Sequence, residues 1–121
     1  MPEDNIYVVV GNSCDTGKYW YRIFSESKDF GLKVYCVNSA VNDVSGERIY
    51  PDLQSLPEKG NVLILVTRPE VSANFVDEAI KLGYKEIWFQ PGTYNEAAAA
   101  KALHNGIVVH EECFMVANNI W

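Results

Sequence analysis

The sequence predicts an α/β domain with three layers, a mainly parallel five-stranded sheet between helices. Two observations predict it. Short apolar runs rich in β-branched residues recur along the chain, each of strand length and without polar alternation, as in strands buried on both faces. Between them lie segments whose apolar residues fall at helical spacing and whose ends carry Pro, Asn or Gly. Strand and helix thus alternate from end to end, and strands joined by such crossovers run parallel.

Taken in order, residues 6–10 (IYVVV) form the first strand, which Gly11 stops. Residues 12–18 (NSCDTGK) are loop chemistry, and beyond them Tyr19, Trp20, Ile23 and Phe24 recur as on a helix that stops near Gly31. Residues 33–37 (KVYCV) are a second buried strand, ended by Asn38 and Ser39. Residues 41–46 read as a polar loop, and 48–50 as a short edge piece. Pro51 and the Ser55-Leu56-Pro57 turn break the chain around one expected helical turn. Residues 62–66 (VLILV) are the most apolar strand, and Pro69 suits the first position of the helix that follows. Val71, Phe75, Val76, Ala79, Ile80 and Leu82 line one face of that helix, and Gly83 closes it. Residues 86–89 (EIWF) are a strand, 90–93 (QPGT) a turn, and Asn95 caps an alanine-rich helix that ends at Asn105-Gly106. Residues 107–110 (IVVH) are the last strand, and 112–120 a short terminal helix or tail. With no internal repeat or linker, residues 1–121 read as one domain.

Composition narrows the function. The 121 residues, 48% of them hydrophobic, suffice for one core without staples. A net charge of −6 with no basic block argues against nucleic acid or an anionic membrane as partner. The N-terminus lacks the features of a signal peptide, and no apolar run approaches the ~20 residues of a membrane helix. Cys14, Cys36 and Cys113 are far apart and show no zinc spacing, as expected of intracellular thiols. These features predict a cytoplasmic protein.

Right-handed crossovers make such a sheet Rossmann-like, with its ligand crevice beyond the carboxyl ends of the strands. The candidate binding residues there are Gly11, Asn12, Ser13 and Lys18 in the first loop, and Val37 and Asn38 at the second strand's end. Thr67, Arg68 and Pro69 follow the third strand, and Gln90 and Gly92 the fourth. A glycine-opened loop leading into a helix aims backbone N–H groups and the positive helix end at one point, which suits a phosphate. Each residue also has a plainer role. The glycines permit turns, Ser13 caps a helix, Lys18 and Arg68 are solvated charges, and Asn38, Gln90 and Gly92 are turn chemistry. A buried amide at a strand end nonetheless asks for a partner.

Two familiar phosphate loops fit poorly. The dinucleotide fingerprint G-x-G-x-x-G keeps only Gly11, and Asn38 stands where an acid would grip the ribose. The triphosphatase loop needs four residues between its glycines. Gly11 and Gly17 enclose five, Tyr19 replaces the magnesium-binding hydroxyl, and Thr67 replaces an aspartate. Consecutive strand residues face opposite ways, so His110, Glu111, Glu112 and Cys113 do not converge on a metal. Neither histidine has an evident nucleophile partner, so no catalytic residue is assigned.

What remains resembles the small coenzyme A-binding proteins, single domains similar to the N-terminal domain of the succinyl-CoA synthetase α subunit. The resemblance rests on residues 9–13 (VVGNS), 34–38 (VYCVN), 45–53 (SGERIYPDL), 87–92 (IWFQPG), 106–109 (GIVV) and 113–116 (CFMV). It departs at Ser39, where the family usually has proline, and at Ala117, where it usually has glutamate. It implies that the ADP half of coenzyme A lies across the first turn and the Val37-Asn38 end. Neutral Asn38 suits the ribose 3′-phosphate, which an acid would repel. The resemblance implies a non-catalytic module that binds coenzyme A or an acyl-CoA. The alternatives are an NAD(P)-binding protein and a subunit of an acyl-CoA-processing enzyme. Cys14, in the anion loop, reads as an ordinary thiol, with a mixed disulfide to coenzyme A as the alternative. The aromatic start of the first helix is a candidate homodimer face, although the same pattern packs a helix on a sheet.

Overall fold

A computed structural model describes residues 4–11, 19–41, 43–44 and 46–121. The strands are β1 (Tyr7–Gly11), β2 (Val34–Asn38), β3 (Asp43–Val44), β4 (Glu47–Arg48), β5 (Val62–Leu65), β6 (Glu86–Phe89) and β7 (Val108–His110). The helices are α1 (Tyr19–Asp29), α2 (Pro69–Leu82), α3 (Glu96–His104) and α4 (Phe114–Ala117). Five strands form one sheet in the order β2-β1-β5-β6-β7, every pair parallel. The expected α/β architecture, with a parallel five-stranded sheet flanked by helices, is the one observed.

Alternation along the strands divides the core between two faces. Tyr7, Val9, Cys36, Val62, Ile64 and Trp88 pack with Trp20, Ile23 and Phe24 of α1 and with Phe114 and Met115 of α4. Val8, Val10, Val37, Leu63, Leu65, Ile87 and Phe89 pack on the opposite face with Val76 and Ala79 of α2 and the alanines of α3. The small residues Ala98, Ala99 and Ala102 bring α3 close to that face.

Four local expectations need correction. Gly11 does not stop β1 but belongs to it, paired in register with Asn38 as the last residue of β2. The polar loop after β2 contains a two-stranded antiparallel ladder, β3 with β4. Residues 51–58 form turns and bends and no helical turn. Asp52 Oδ1 accepts a hydrogen bond from the Ser55 N–H, so an Asx-type turn meets the backbone needs that a helix would have met. The edge piece is reduced to one parallel bridge, Val37 with Tyr50, in which Asn38 N–H donates to the Tyr50 carbonyl and Tyr50 N–H to that of Cys36. Tyr50 thus continues the order as 50-β2-β1-β5-β6-β7, the doubly wound arrangement in which chain direction across the sheet reverses between β1 and β5.

Helix boundaries follow the local chemistry. Pro69 opens α2 at a position where its missing N–H is not needed, and Gly83 closes it at φ 81°. Asn95 Oδ1 caps α3 by accepting from the Ala98 N–H at 3.0 Å. No helix among the described residues is long and apolar enough to cross a membrane.

Candidate functional site

The carboxyl ends of β1, β2, β5 and β6, where the sheet order reverses, bring Gly11, Asn38, Thr67 and Gln90 to one rim. Asn12, Ser13, Cys14 and Lys18 lie outside the described residues, so the site is built here from its other walls. Gly11 is buried. A Cβ added to it would stand 2.6 Å from Trp20 Cγ, so the glycine lets the start of α1 press against the sheet. The Trp20 indole N–H is buried and has no hydrogen-bond partner among the described residues.

Buried polar side chains concentrate at this rim. Asn38, Thr67, Ser72, Gln90 and Thr93 are all buried, and all follow or lie near the carboxyl ends of strands. Asn38 Oδ1 accepts from the Ala40 N–H at 2.8 Å, which turns the chain after β2. Val37 is fully buried, with its side chain in the core and its backbone paired to β1. Thr67 and Ser72 share a hydrogen bond of 2.8 Å between their hydroxyls, locking the β5–α2 connection. Arg68 is exposed at the mouth, its Nε 3.4 Å from Glu70. Pro69 begins α2, and its carbonyl accepts from Asn95 Nδ2 at 3.1 Å, which ties two neighbouring rim loops.

Gln90 finds the partners its burial demands inside the protein. Its Oε1 accepts from the Phe114 N–H at 2.7 Å, capping α4 from another strand, and its Nε2 lies 3.4 Å from Cys113 Sγ. Gly92 sits in an exposed turn at φ 89°, a conformation that favours glycine, with open space where a side chain would point. Thr93 closes that turn by donating Oγ1–H to the Gln90 carbonyl at 2.7 Å.

Sequence reasoning left Cys113 and Tyr19 out of the site. Cys113 is half-buried beside Gln90, and the Tyr19 hydroxyl stands 3.9 Å from its sulfur. Burial pushes the Cys113 thiol up, but the N–H groups of Val116 and Met115, the Gln90 amide and the Tyr19 hydroxyl together bring it below the usual thiol value. Tyr19 is raised, first by burial and then by that same contact. Cys36, enclosed in β2, is pushed far up by burial alone. The signal for Cys113 was its place three residues after the last strand residue, where the carboxyl rim must run.

Among the described residues no group of His, Cys, Asp and Glu is arranged to hold a metal ion. His110 instead stacks on Trp88 with ring centroids 3.8 Å apart; the Trp88 indole donates to Glu86 Oε2, and His110 Nε2 lies 3.0 Å from the same oxygen. A cleft of about 320 Å³ lies at the opposite rim, lined by Leu53, Leu56, Pro57, Gly60, Leu82 and Tyr84 among others. Its Glu58 is already held by Lys33 and Tyr35, so the carboxyl rim remains the better-equipped end.

A model of the CoA binding domain matches residues 5–119. The chain belongs to the CoA-binding domain family. Two solved structures of similar proteins cover most of this family member. A hypothetical protein from Pyrococcus horikoshii OT3 is 30% identical, with a TM-score of 0.86 over 97% of this chain and 82% of that one. A conserved hypothetical protein from Pyrococcus furiosus is 29% identical, with a TM-score of 0.81 over 93% of this chain and 97% of that one. A dinucleotide-forming acetyl-coenzyme A synthetase from Ca. Korarchaeum cryptofilum, solved with phosphate and ADP, is 22% identical with a TM-score of 0.76. The match covers 91% of this chain but 26% of the synthetase, and it is a likeness of fold.

Proposed function

We propose that residues 1–121 form a single non-catalytic module that binds coenzyme A or an acyl-CoA in the crevice between β1 and β5. The observation that carries this reading is the CoA-binding family match over residues 5–119, on a sheet whose chain direction reverses at that crevice. The first loop receives the diphosphate on the backbone N–H groups of Asn12 and Ser13 and on the Ser13 hydroxyl, with Lys18 as a point charge. Gly11 keeps α1 close to β1, and the Val37-Asn38 end meets the ribose without a repelling carboxylate. Arg68 takes a phosphate or an acyl carboxylate at the mouth, next to Thr67 and Pro69. Gln90 and Gly92 shape the wall beyond β6. The same reading places the protein in the cytoplasm, away from nucleic acid and membrane surfaces.

Calorimetric titration and thermal unfolding with coenzyme A, acetyl-CoA, NAD, NADP and ATP test it. A ligand at a hundred times its dissociation constant adds about 2.7 kcal/mol of stability. Stabilisation by coenzyme A that is lost in Ser13→Ala or Lys18→Ala supports the site. Stabilisation by NAD or NADP alone replaces the ligand and keeps the crevice.

A further inference from the structure

We propose that Gln90, Cys113 and Tyr19 form a positioning relay that sets the first turn of α1 for the ligand, an inference that rests on the coenzyme A reading above. Three elements meet at one sulfur. Gln90, at the carboxyl end of β6, is fully enclosed, and its amide is fixed by the 2.7 Å bond from the Phe114 N–H. That orientation directs Nε2 to Cys113 Sγ at 3.4 Å. On its other side the sulfur meets the Tyr19 hydroxyl at 3.9 Å. Tyr19 is the first residue of α1, so its backbone directly follows the loop expected to hold the diphosphate.

The ring of Tyr19 is held as well as its hydroxyl. Trp121 packs on it with centroids 5.6 Å apart, and Arg22 lies 4.5 Å from the Trp121 ring centroid. Trp121 Nε1 donates to Glu26 at 2.9 Å, which keeps the indole lying along α1. Trp20, pressed against Gly11, secures the next residue. The first turn of α1 is therefore fixed on two sides, by β1 through Trp20 and by β6 through the relay. A helix start whose N–H groups serve an anion loses affinity when it drifts by a fraction of an ångström, because charge-assisted hydrogen bonds need short, aligned contacts. The relay residues act through α1 and are not required to touch the ligand.

The decisive variant is Tyr19→Phe, which keeps the ring against Trp121 and removes only the hydroxyl. Coenzyme A is titrated calorimetrically into wild type and variant. The expected result is binding weakened about twofold, the low end for a hydrogen bond because a sulfur 3.9 Å away is a weak partner, with the unliganded melting temperature little changed. The second readout is the pH profile of Cys113 alkylation by iodoacetamide, resolved by peptide mass spectrometry. Linkage requires that a ligand sensing the relay also changes the sulfur's environment. Saturating coenzyme A shifts the pH midpoint for Cys113 in wild type, and that shift disappears in Tyr19→Phe. Simple shielding by the ligand would slow alkylation equally in both proteins without moving either midpoint. Equal affinity in the two proteins, or an unmoved midpoint in wild type that binds coenzyme A, overturns the relay alone. Failure of wild type to bind coenzyme A overturns the ligand reading and the relay with it.

Discussion

The two rims of the sheet are built from different materials. At the amino rim the strand starts are joined mainly through one half-buried residue. Asn61 Oδ1 accepts from the Ile6 N–H, its Nδ2 donates to Asn5, and its carbonyl accepts from the N–H groups of Lys85 and Glu86. Apolar closeness does the rest, since a Cβ on Gly60 would stand 2.5 Å from Val8 Cγ2 and 2.6 Å from the Tyr84 hydroxyl oxygen. At the carboxyl rim Asn38, Thr67, Ser72, Gln90 and Thr93 are buried and hydrogen-bonded, mostly within their own turns and, for Gln90, to the start of α4. Burying polar groups is costly unless each is matched, and apolar residues would close a rim at less cost. Among the described residues the carboxyl rim nonetheless holds more buried polar side chains than the amino rim does.

The largest expected effect tests that contrast directly. Gln90→Ala leaves the Phe114 N–H unmatched and opens a small cavity, so urea denaturation should show a loss of about 3 kcal/mol. Calorimetry on the same variant should also show weakened coenzyme A binding. Gly60→Ala, at the other rim, should lose about 2 kcal/mol through overpacking while its coenzyme A affinity stays at the wild-type value. An affinity change there would erase the distinction between the rims.

Tyr84 gives the amino rim its own pH signature. Burial pushes its hydroxyl up to about 12 from the ordinary value of 10.0, so the folded protein retains a proton that the unfolded chain releases. The stability this contributes is whole below pH 10, and declines as pH rises toward 12, by at most about 2.7 kcal/mol. Tyr84→Phe should flatten that decline in denaturation curves taken across this range. At the carboxyl rim, Asn95→Ala removes the α3 cap and the tie to Pro69, and should lose about 1 kcal/mol. Arg68→Ala should leave stability within about 0.5 kcal/mol, because its pair with Glu70 is solvent-exposed. Its effect should appear in ligand affinity alone.

Most of the fold was legible because its signals are local. Runs such as VLILV read as strands buried on both faces, and Pro69, Gly83 and Asn95 mark helix ends by their own backbone and capping chemistry. The β3–β4 ladder was not legible. Its two-residue strands are too short for alternation to register, and its pairing depends on a turn rather than on burial. The rim was legible only as a set of places. Gln90 announced that a buried amide would need partners, but the partners, the Phe114 N–H and Cys113, lie more than twenty residues further along. No periodicity encodes such a meeting. Nor could sequence spacing tell Gly11 the turn former from Gly11 the strand residue that makes room for Trp20.

The single bridge between Val37 and Tyr50 has a bearing on how the chain avoids its own kind. A parallel sheet ends in two rows of hydrogen-bonding groups that invite another chain to continue the ladder. Tyr50 covers one of those rows with one residue, and the antiparallel ladder of Asp43 and Val44 with Glu47 and Arg48 stands just before it in the chain. The other row belongs to β7, which is 3 residues long and too brief to template an extended stack. The β7 margin is therefore guarded by shortness, and the β2 margin is interrupted by Tyr50. A crowded solution of folded molecules meets little continuous backbone on which fibrous growth could begin.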